Sequence, residues 1–310
     1  MLNQGDDIAG IVHSVGSNVY EFKPGDRVAA FHQMMAPGGS YAEYALSWSH
    51  TTFHIPPKTS FEEAATIPLA GMTAAIGLYQ RLSLPLPWHP TSEQIPLIIY
   101  GAATAVGSYA IQLAQLSNIH PLICVASRGV AHVEGLIDKS KGDVIIDYRN
   151  GDEALVKELE KAVKRTSPGK VQYAFDAVSE KGSSRNICKV LDPSSGAITV
   201  VLHYEDIPEG FAKSHTIVGS VFKETVFEDT DGNSWEKKTG SRTGDQEFGF
   251  VFYRFMARGL QEGWFKSHPY EVVPGGLGGV EQGLKDLKEG KASAVKYVFR
   301  IAETEGLGSE

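Results

Sequence analysis

Residues 97–107 read Leu-Ile-Ile-Tyr-Gly-Ala-Ala-Thr-Ala-Val-Gly. The apolar run Leu97–Tyr100 predicts a buried parallel strand. A turn of small residues follows, and apolar residues then recur at helical spacing across residues 107–117. A helix N-terminus offers unpaired N–H groups and a positive dipole to a pyrophosphate, and small side chains let that ligand approach the backbone. The stretch therefore predicts the first half of a dinucleotide-binding βαβ unit.

The glycine pattern of this turn is degenerate. The nucleotide fingerprint has three glycines, whereas here Gly101 and Gly107 flank Thr104. Such a turn is a weak signal by itself, and an ordinary tight βα turn is the alternative. A second apolar run, residues 121–126, stands where the second strand of the unit is expected. The two features together favour a nucleotide site.

The end of this second strand indicates which nucleotide is bound. Ser127 and Arg128 follow it, and neither Asp nor Glu is present there. An acid at this point binds the ribose 2′-OH of NAD, whereas a cation or hydroxyl suits the 2′-phosphate of NADP. The sequence therefore predicts NADPH as the cofactor. The alternative is that Arg128 is a solvated loop residue.

Length and composition narrow the class of protein. A chain of 310 residues is long enough for two domains with a sizeable core. A net charge of −8 disfavours nucleic acid or an anionic membrane as the main partner. Two cysteines, Cys124 and Cys188, supply neither a disulfide framework nor a four-cysteine zinc site. No apolar run reaches about 18 residues and residues 1–7 do not read as a signal peptide, so we expect a cytoplasmic protein without a membrane span.

Short strands and turns occupy the first 57 residues. Predicted strands at 8–15, 27–31 and 40–46 are separated by Gly and Pro turns, a pattern typical of a small β-barrel or a partly open sheet.

Strands and helices alternate after this region, which predicts a doubly wound parallel α/β sheet. Its predicted strands are 97–100, 121–126, 144–148, 171–178, 196–202 and 216–222. The predicted helices between residues 70 and 190 are 70–82, 107–117, 130–139, 152–166 and 181–190. Further on, we predict a mobile polar loop at 228–245, helices at 246–262 and 279–288, and strands at 270–273 and 294–301.

Several motifs carry a family resemblance that covers the whole chain. They are Asp-Ile-Ala-Gly-Ile-Val at 7–12, Phe-Lys-Pro-Gly-Asp-Arg-Val at 22–28, Gly-Gly-Ser-Tyr-Ala-Glu-Tyr at 38–44, Glu-Ala-Ala-Thr-Ile-Pro at 63–68, the turn at 101–107 and Asp-Tyr-Arg at 147–149. The chain resembles the medium-chain dehydrogenase/reductase superfamily, in its zinc-independent quinone oxidoreductase and enoyl reductase branch. It is similar to fungal trans-acting enoyl reductases and to alcohol-dehydrogenase-like (GroES-like) proteins.

The resemblance implies a two-domain enzyme. A Rossmann NADPH-binding domain is expected at residues 69–225. A GroES-like, β-rich catalytic domain is expected from residues 1–68, with a return at 226–310. Relatives begin some dozens of residues earlier, so the catalytic domain is expected to be incomplete at its N-terminus.

The resemblance also implies site residues. The positions expected to contact the cofactor are Gly101, Ala103, Thr104, Ala105, Val106 and Gly107 at the pyrophosphate, Ser127 and Arg128 at the 2′-phosphate, Tyr148 at the adenosine, and Thr73, Val201 and Leu202 at the nicotinamide. The positions expected to line the substrate cleft are Leu69, Met72, Gly219, Ser220, Val221, Phe222 and Lys223.

No metal is expected. Zinc-dependent relatives have Gly-His-Glu where this chain has Gly5, Asp6 and Asp7. Without a ligand set there is no Lewis acid to polarise an alcohol, so the resemblance implies chemistry without zinc.

The implied activity is NADPH-dependent reduction of an activated C=C bond (a 2-enoyl group) or of a quinone. The substrate is then a small molecule or a carrier-bound acyl chain, with a polyketide synthase as candidate partner and a homodimer as one candidate assembly. The catalytic residues stay unassigned. Tyr41, Tyr44 and His32 are candidate proton donors, but a structural role is favoured for each, because such residues commonly occupy buried or edge positions. The competing hypothesis is a catalytically impaired NADPH-binding sensor or scaffold.

Overall fold

The structure is a computed structural model that describes residues 5–166, 169–203, 207–222 and 244–307. Within these residues the chain divides into two units. The first contains residues 5–72, 219–222 and 244–307, and the second contains the described residues between 73 and 218.

A three-stranded antiparallel sheet begins the first unit. Its strands are β1 (Asp7–Ile11), β2 (Arg27–Phe31) and β3 (Thr52–His54), in the order β1-β2-β3. β2 is the central strand, and its last four residues are buried. The structure thus has a small open sheet here, one of the two forms that the spacing of strands and turns predicts.

The predicted strand at 40–46 is wrong. These residues form bends, and loop hydrogen bonds hold them: the Ser40 amide donates to Gly5 O at 2.8 Å and the Leu46 amide donates to Gly38 O at 2.8 Å. Alternating apolar residues therefore do not make a strand here, because the backbone groups bond to loops instead of a neighbouring strand.

Two helices follow the sheet. Helix α1 (Phe61–Ala64) begins with a capping box, in which the Ser60 hydroxyl accepts from the Glu63 amide at 3.1 Å and the Glu63 carboxylate accepts from the Ser60 amide at 2.8 Å. Helix α2 (Pro68–Ala75) starts at the proline and continues into a π-helical turn, Ile76–Arg81. Proline is tolerated at a first helical position because its missing N–H has no partner there anyway.

The second unit alternates strands and helices. These are β4 (Leu97–Tyr100), α3 (Ala105–Leu116), β5 (Leu122–Ala126), α4 (Val130–Glu134), β6 (Val144–Asp147), α5 (Asp152–Lys164), β7 (Tyr173–Asp176), α6 (Ser183–Cys188), β8 (Ala197–Val200) and β9 (Ala212–His215). The six strands form one parallel sheet in the order β6-β5-β4-β7-β8-β9. The prediction of a doubly wound parallel sheet is confirmed.

This strand order identifies the edge of the sheet at which a ligand is expected to bind. The chain runs outward from β4 to β6 and then returns to the other side of β4 with β7. In such sheets ligands bind in the crevice outside the carboxyl ends of the strands, at the point where the order reverses. Every residue of β4 and β5 is buried, which fixes this edge rigidly.

The predicted last strand of this sheet, 216–222, is wrong. The edge strand is Ala212–His215, the Thr216 amide makes one further bond to Val200 O at 2.8 Å, and Val218–Val221 forms a 3₁₀ turn. The observed strand, Ala212–His215, has no alternation of apolar and polar residues, which an edge strand tolerates. The apolar run after it forms a buried turn instead of a strand. Several other predicted elements are too long. The helix at 130–139 ends at Glu134, and the strands predicted at 8–15, 171–178, 196–202 and 294–301 are observed at Asp7–Ile11, Tyr173–Asp176, Ala197–Val200 and Lys296–Val298.

The C-terminal residues belong to the first unit. They form helix α7 (Asp245–Glu262), strand β10 (Tyr270–Val272), helix α8 (Val280–Lys288) and strand β11 (Lys296–Val298), with β10 and β11 parallel. The predicted loop at 228–245 falls outside the described residues except for its last two. None of the helices described here combines the length and apolarity needed to cross a membrane.

Helix α7 supplies much of the first unit's core. Tyr253 of α7 is fully buried, stacks on Phe53 of β3 with ring centroids 5.5 Å apart, and donates to Pro68 O at 3.0 Å. The C-terminal part of the chain is therefore packed against the N-terminal sheet.

Candidate active site

The turn between β4 and α3 depends on two glycines. Gly101 has a φ of +78°, and a Cβ there would lie 2.6 Å from Val178 Cγ2. A Cβ on Gly107 would lie 2.3 Å from Gly101 O. The first glycine satisfies a left-handed backbone, and the second lets the start of α3 pack directly on the turn. These are the tight-turn and close-packing roles that a nucleotide-binding turn requires.

The N-terminus of α3 is open to an anion. The Thr104 hydroxyl caps the helix by accepting from the Gly107 amide at 3.0 Å. Among the described residues, no group accepts a hydrogen bond from the amides of Ala105 and Val106. Free amides at a helix N-terminus, with small residues Ala103 and Ala105 beside them, suit a pyrophosphate.

The ends of β5 and β6 lie beside this turn. After β5, Ser127 is partly buried and Arg128 is exposed. After β6, the Tyr148 ring stacks on Tyr100 at the end of β4, with centroids 6.2 Å apart. The one acid at this point, Asp147, accepts two hydrogen bonds from Arg149 Nε, at 2.9 and 3.0 Å. No acid therefore occupies the end of β5, and the acid of β6 is already paired.

A buried carboxylate organises the other side of the edge. Asp176, at the end of β7, is fully buried and accepts hydrogen bonds from the amides of Val178 and Ser179 and from the hydroxyls of Ser183 and Ser184, at 2.6 to 3.0 Å. Burial, together with this nearby negative charge, raises the pKa of Tyr100 to about 12.

The segment after β8 is tied to the end of β7 through one serine, whose hydroxyl bonds to the backbone carbonyl of Asp176 while its amide donates to the Asp176 carboxylate at 2.8 Å. The Ser179 hydroxyl donates to Asp176 O at 2.9 Å and accepts from the Val201 amide at 2.9 Å. Leu202, the next residue, is exposed. The predicted nicotinamide residues Val201 and Leu202 are thus fixed at the carboxyl edge of β8, while Thr73 is buried on α2 in the same unit.

The predicted substrate residues that the structure describes belong to the first unit. Met72 and Val221 are fully buried, and both contact the position that a Cβ on Gly249 of α7 would occupy. Phe222 is buried between Phe31 and His50, with centroids 5.2 and 6.1 Å away. Gly219 and Ser220 belong to the adjoining 3₁₀ turn. Lys223 lies outside the described residues.

Leu69, which precedes Met72 by three residues on α2, lines a cleft of about 1190 Å³ within the first unit. The cleft is also lined by Asp6, Tyr41, Tyr44 and Lys296. Two of the three candidate proton donors are therefore brought to one cavity with one predicted substrate residue.

The cleft contains an unusual acid. Burial raises the pKa of Asp6 to about 6, the neighbouring Asp7 carboxylate adds to the shift, and His32 and Lys296 oppose it. The pKa of the Tyr41 phenol is also raised, by burial and then by the charges of Asp6 and Asp7. A carboxyl group that titrates near neutral pH can exchange a proton with a ligand in this cavity.

His32, the third candidate donor, has a structural environment. It is buried, with Nδ1 2.7 Å from Leu46 O and Nε2 3.1 Å from Ala36 O. Both ring nitrogens face backbone carbonyls, which favours the interpretation of His32 as a residue that holds the 36–46 loop.

Comparison with known proteins identifies the family to which the chain belongs. Residues 2–57 match the family described as the alcohol dehydrogenase GroES-like domain. Over 279 residues the chain is 50% identical to trans-enoyl reductase fsr4 of Gibberella fujikuroi, covering 88% of this chain and 76% of that protein. The chain belongs to the trans-enoyl reductase family, within the medium-chain dehydrogenase/reductases. Its resemblance to that superfamily, stated from its motifs, is confirmed.

Two further comparisons agree with this assignment. The reductase is 30% identical to trans-enoyl reductase ACTTS2 of Alternaria alternata over 96% of this chain and 83% of that protein. Its fold matches the crystal structure of CurK enoyl reductase with a TM-score of 0.68 at 19% identity, over 96% of this chain and 80% of the other. The protein is therefore an oxidoreductase, and enzymes of this family use a nicotinamide cofactor.

Two features of the candidate site were missed by sequence reasoning. Asp6 was noted only for what it replaces in zinc-dependent relatives, because burial in a cleft leaves no sequence signal. The Asp176 network was also missed, although an acid at the end of a predicted buried strand, with three serines close behind it, could have indicated it. Within the described residues, no group of three or more His, Cys, Asp or Glu side chains is arranged to hold a metal ion.

Proposed function

We propose that the reductase uses NADPH to reduce the C=C bond of a 2-enoyl group, without zinc. The observation that carries this proposal is the carboxyl edge of the parallel sheet. There the open N-terminus of α3 lies beside a β5 that ends in Ser127 and Arg128 instead of an acid. When bound, NADPH supplies the hydride, and the chain's own residues bind, orient and shield the reactants.

Different residues bind different parts of the cofactor. The amides of Ala105 and Val106 and the α3 dipole hold the pyrophosphate, with Thr104 as the helix cap. Ser127 and Arg128 bind the 2′-phosphate, and Tyr148 packs against the adenosine. The nicotinamide is positioned by Thr73, Val201 and Leu202. We propose accordingly that residues 69–225 are the cofactor domain and that 1–68 with 226–310 form the catalytic domain.

The substrate assignment follows the relatives. Two trans-enoyl reductases match the chain over most of its length, so a 2-enoyl thioester is the first substrate class to test. A polyketide synthase that carries the acyl chain is the proposed partner. Leu69, Met72, Val221 and Phe222 are apolar, as contacts to an acyl chain require, and a quinone is the competing acceptor.

Cofactor choice is tested by calorimetry on Arg128→Ala. Hydrogen bonds to charged groups contribute about 1.5–3 kcal/mol, so the Kd for NADPH should rise about 10- to 150-fold while the Kd for NADH stays unchanged. Arg165→Ala is the matched control, because Arg165 is an exposed arginine at the C-terminal end of α5. A wild-type protein that binds NADH more tightly than NADPH contradicts the role given to Ser127 and Arg128.

Activity is tested by NADPH oxidation with 2-enoyl thioesters of N-acetylcysteamine and, in parallel, with quinones. Steady oxidation with the thioesters supports the proposal, and oxidation with quinones alone supports the competing substrate. Binding of NADPH without oxidation by any acceptor would indicate a cofactor-binding sensor or scaffold. Stoichiometric zinc whose removal abolishes turnover would contradict the metal-free mechanism.

A further inference from the structure

We propose that Asp6 is the proton donor that completes this reduction, acting from the wall of the first unit's cleft on the α-carbon of the bound acyl group. The proposal rests on the function proposed above and adds the residue that the reduction still requires. The hydride saturates only one carbon of the double bond.

The position of Asp6 in the cleft sets it apart from its neighbour. Asp7 is fully engaged: one carboxylate oxygen accepts from the Leu69 amide at 2.8 Å, and the other pairs with the Lys296 ammonium. The Asp6 carboxyl group lines the same cleft, is half-buried, and accepts no hydrogen bond from the described part of the chain. Asp7 therefore anchors the cleft wall, and Asp6 is left available to a ligand.

Burial, with the Asp7 carboxylate beside it, raises the pKa of Asp6, so that its carboxyl group holds a proton closer to neutral pH than an ordinary aspartate does. The charged groups that act on the pKa of Asp6 are Asp7 beside it, His32 after β2 and Lys296 on β11. The charge of Asp6 in turn raises the pKa of the cleft residue Tyr41. Burial and Asp7 outweigh the two cations, and the pKa of Asp6 rises to about 6. A general acid works best when its pKa lies near the working pH.

Comparison with the tyrosines favours Asp6. The pKa of Tyr41 is raised above its ordinary value, which makes its phenol a weaker acid than usual. Tyr44 is 61% exposed, so water competes with a bound ligand for hydrogen bonds to its hydroxyl. Tyr41 is better suited to orient a carbonyl oxygen by hydrogen bonding than to give up its proton.

The proposed step balances as follows. Once the β-carbon has accepted the hydride, the π electrons of the C=C bond form an enolate with the thioester carbonyl. The Asp6 O–H bond breaks, its proton forms the new C–H bond at the α-carbon, and the carbonyl is restored. Asp6 is left as a carboxylate, which regains a proton from solvent before the next cycle. The sum is one enoyl group, one hydride and one proton giving one saturated acyl group.

The experiment compares Asp6→Asn with Glu43→Gln. Glu43 is an exposed carboxylate on the same cleft, so its variant makes the same charge change without removing the proposed acid. With 2-butenoyl N-acetylcysteamine thioester, Asp6→Asn should lower kcat by about 100-fold or more, the usual size of general-acid catalysis. Wild-type kcat should fall as pH rises through about 6, because the protonated donor is lost, and Asp6→Asn should lack this dependence.

A nitroalkene acceptor separates proton transfer from hydride transfer. Hydride addition to a nitroalkene gives a nitronate that is stable without enzymic protonation, so Asp6→Asn should consume NADPH with this acceptor at the wild-type rate. Equal losses with both acceptors, or an unchanged rate and pH profile with the thioester, would overturn the role of Asp6 alone. Wild-type protein inactive with every acceptor would overturn the proposed function, and the donor role with it.

Discussion

A Gly107→Ala substitution tests whether the β4–α3 turn is a built nucleotide site. The new Cβ would lie 2.3 Å from Gly101 O and 2.8 Å from Ala102 Cα. Both are backbone atoms, so no side-chain rotation relieves the contact. Overpacking of this kind costs about 3 kcal/mol at the upper end of its range, and the higher helix propensity of alanine returns about 1 kcal/mol.

The net cost of about 2 kcal/mol can be measured in two ways. If the turn opens in the free protein, binding must close it again, and the Kd for NADPH rises by about 30-fold. If the turn stays closed, the cost is lost stability, and the melting temperature falls by about 2–4 °C for each kcal/mol. Calorimetry and thermal unfolding of the same preparation measure both quantities.

Gly135→Ala is the matched control for this test. Gly135 lies in the same unit with a φ of −75°, and its added Cβ meets no atom closer than 3.4 Å. This control should change neither quantity appreciably. If Gly107→Ala kept both the wild-type Kd and the wild-type melting temperature, the close packing inferred for the turn would be wrong, and with it the geometric argument for the pyrophosphate site.

Four other substitutions test the rest of the site. Asp176→Ala leaves two buried hydroxyls and two part-buried amides without this acceptor and should lower the free energy of unfolding in urea by about 3 kcal/mol or more. A smaller loss for Asp176→Ala than for an exposed carboxylate would contradict the network. Asp6→Asn should raise the urea midpoint at pH 8 but not at pH 4, because a folded-state pKa of about 6 against 3.8 penalises only the ionised form. Lys296→Met should lower stability by about 1–3 kcal/mol, and Asp7→Asn should make less difference in that background than in wild type.

The second unit was predicted well because its signals are local. Leu97–Tyr100 is a short buried run with a glycine directly after it, and the predicted strand matches the observed one at both ends. Parallel strands buried on both faces are continuous apolar runs, which a single sequence shows clearly. The order of the strands then follows from the alternation of strands and helices.

The first unit was predicted less well because its contacts are distant in sequence. β3 pairs with β2 across more than 20 residues and is only three residues long, so Thr52–His54 gave no pattern to detect. Residues 40–46 resemble a strand locally, but the loop bonds to Gly5 and Gly38 decide their conformation.

The candidate site contains both kinds of signal. The residues of the glycine turn, with Ser127 and Arg128, are adjacent in sequence or follow predictable strands, so a family resemblance is enough to predict their roles, which stay predictions. Asp6 depends on a cavity whose walls come from residues 5–69 and 296–302. The pKa of Asp6 is raised mainly by burial in that cavity. Because the cavity walls come from distant parts of the sequence, no short stretch of sequence indicates the raised pKa.

The Asp7–Lys296 pair joins residues separated by 289 positions. During translation at about 5–20 residues per second, β1 must wait for about 15–60 s before Lys296 has been synthesised. The described residues of the second unit, 73–218, are all translated within that interval. The nascent polypeptide therefore passes through a stage in which the parallel sheet can be complete while the N-terminal sheet still lacks its C-terminal packing.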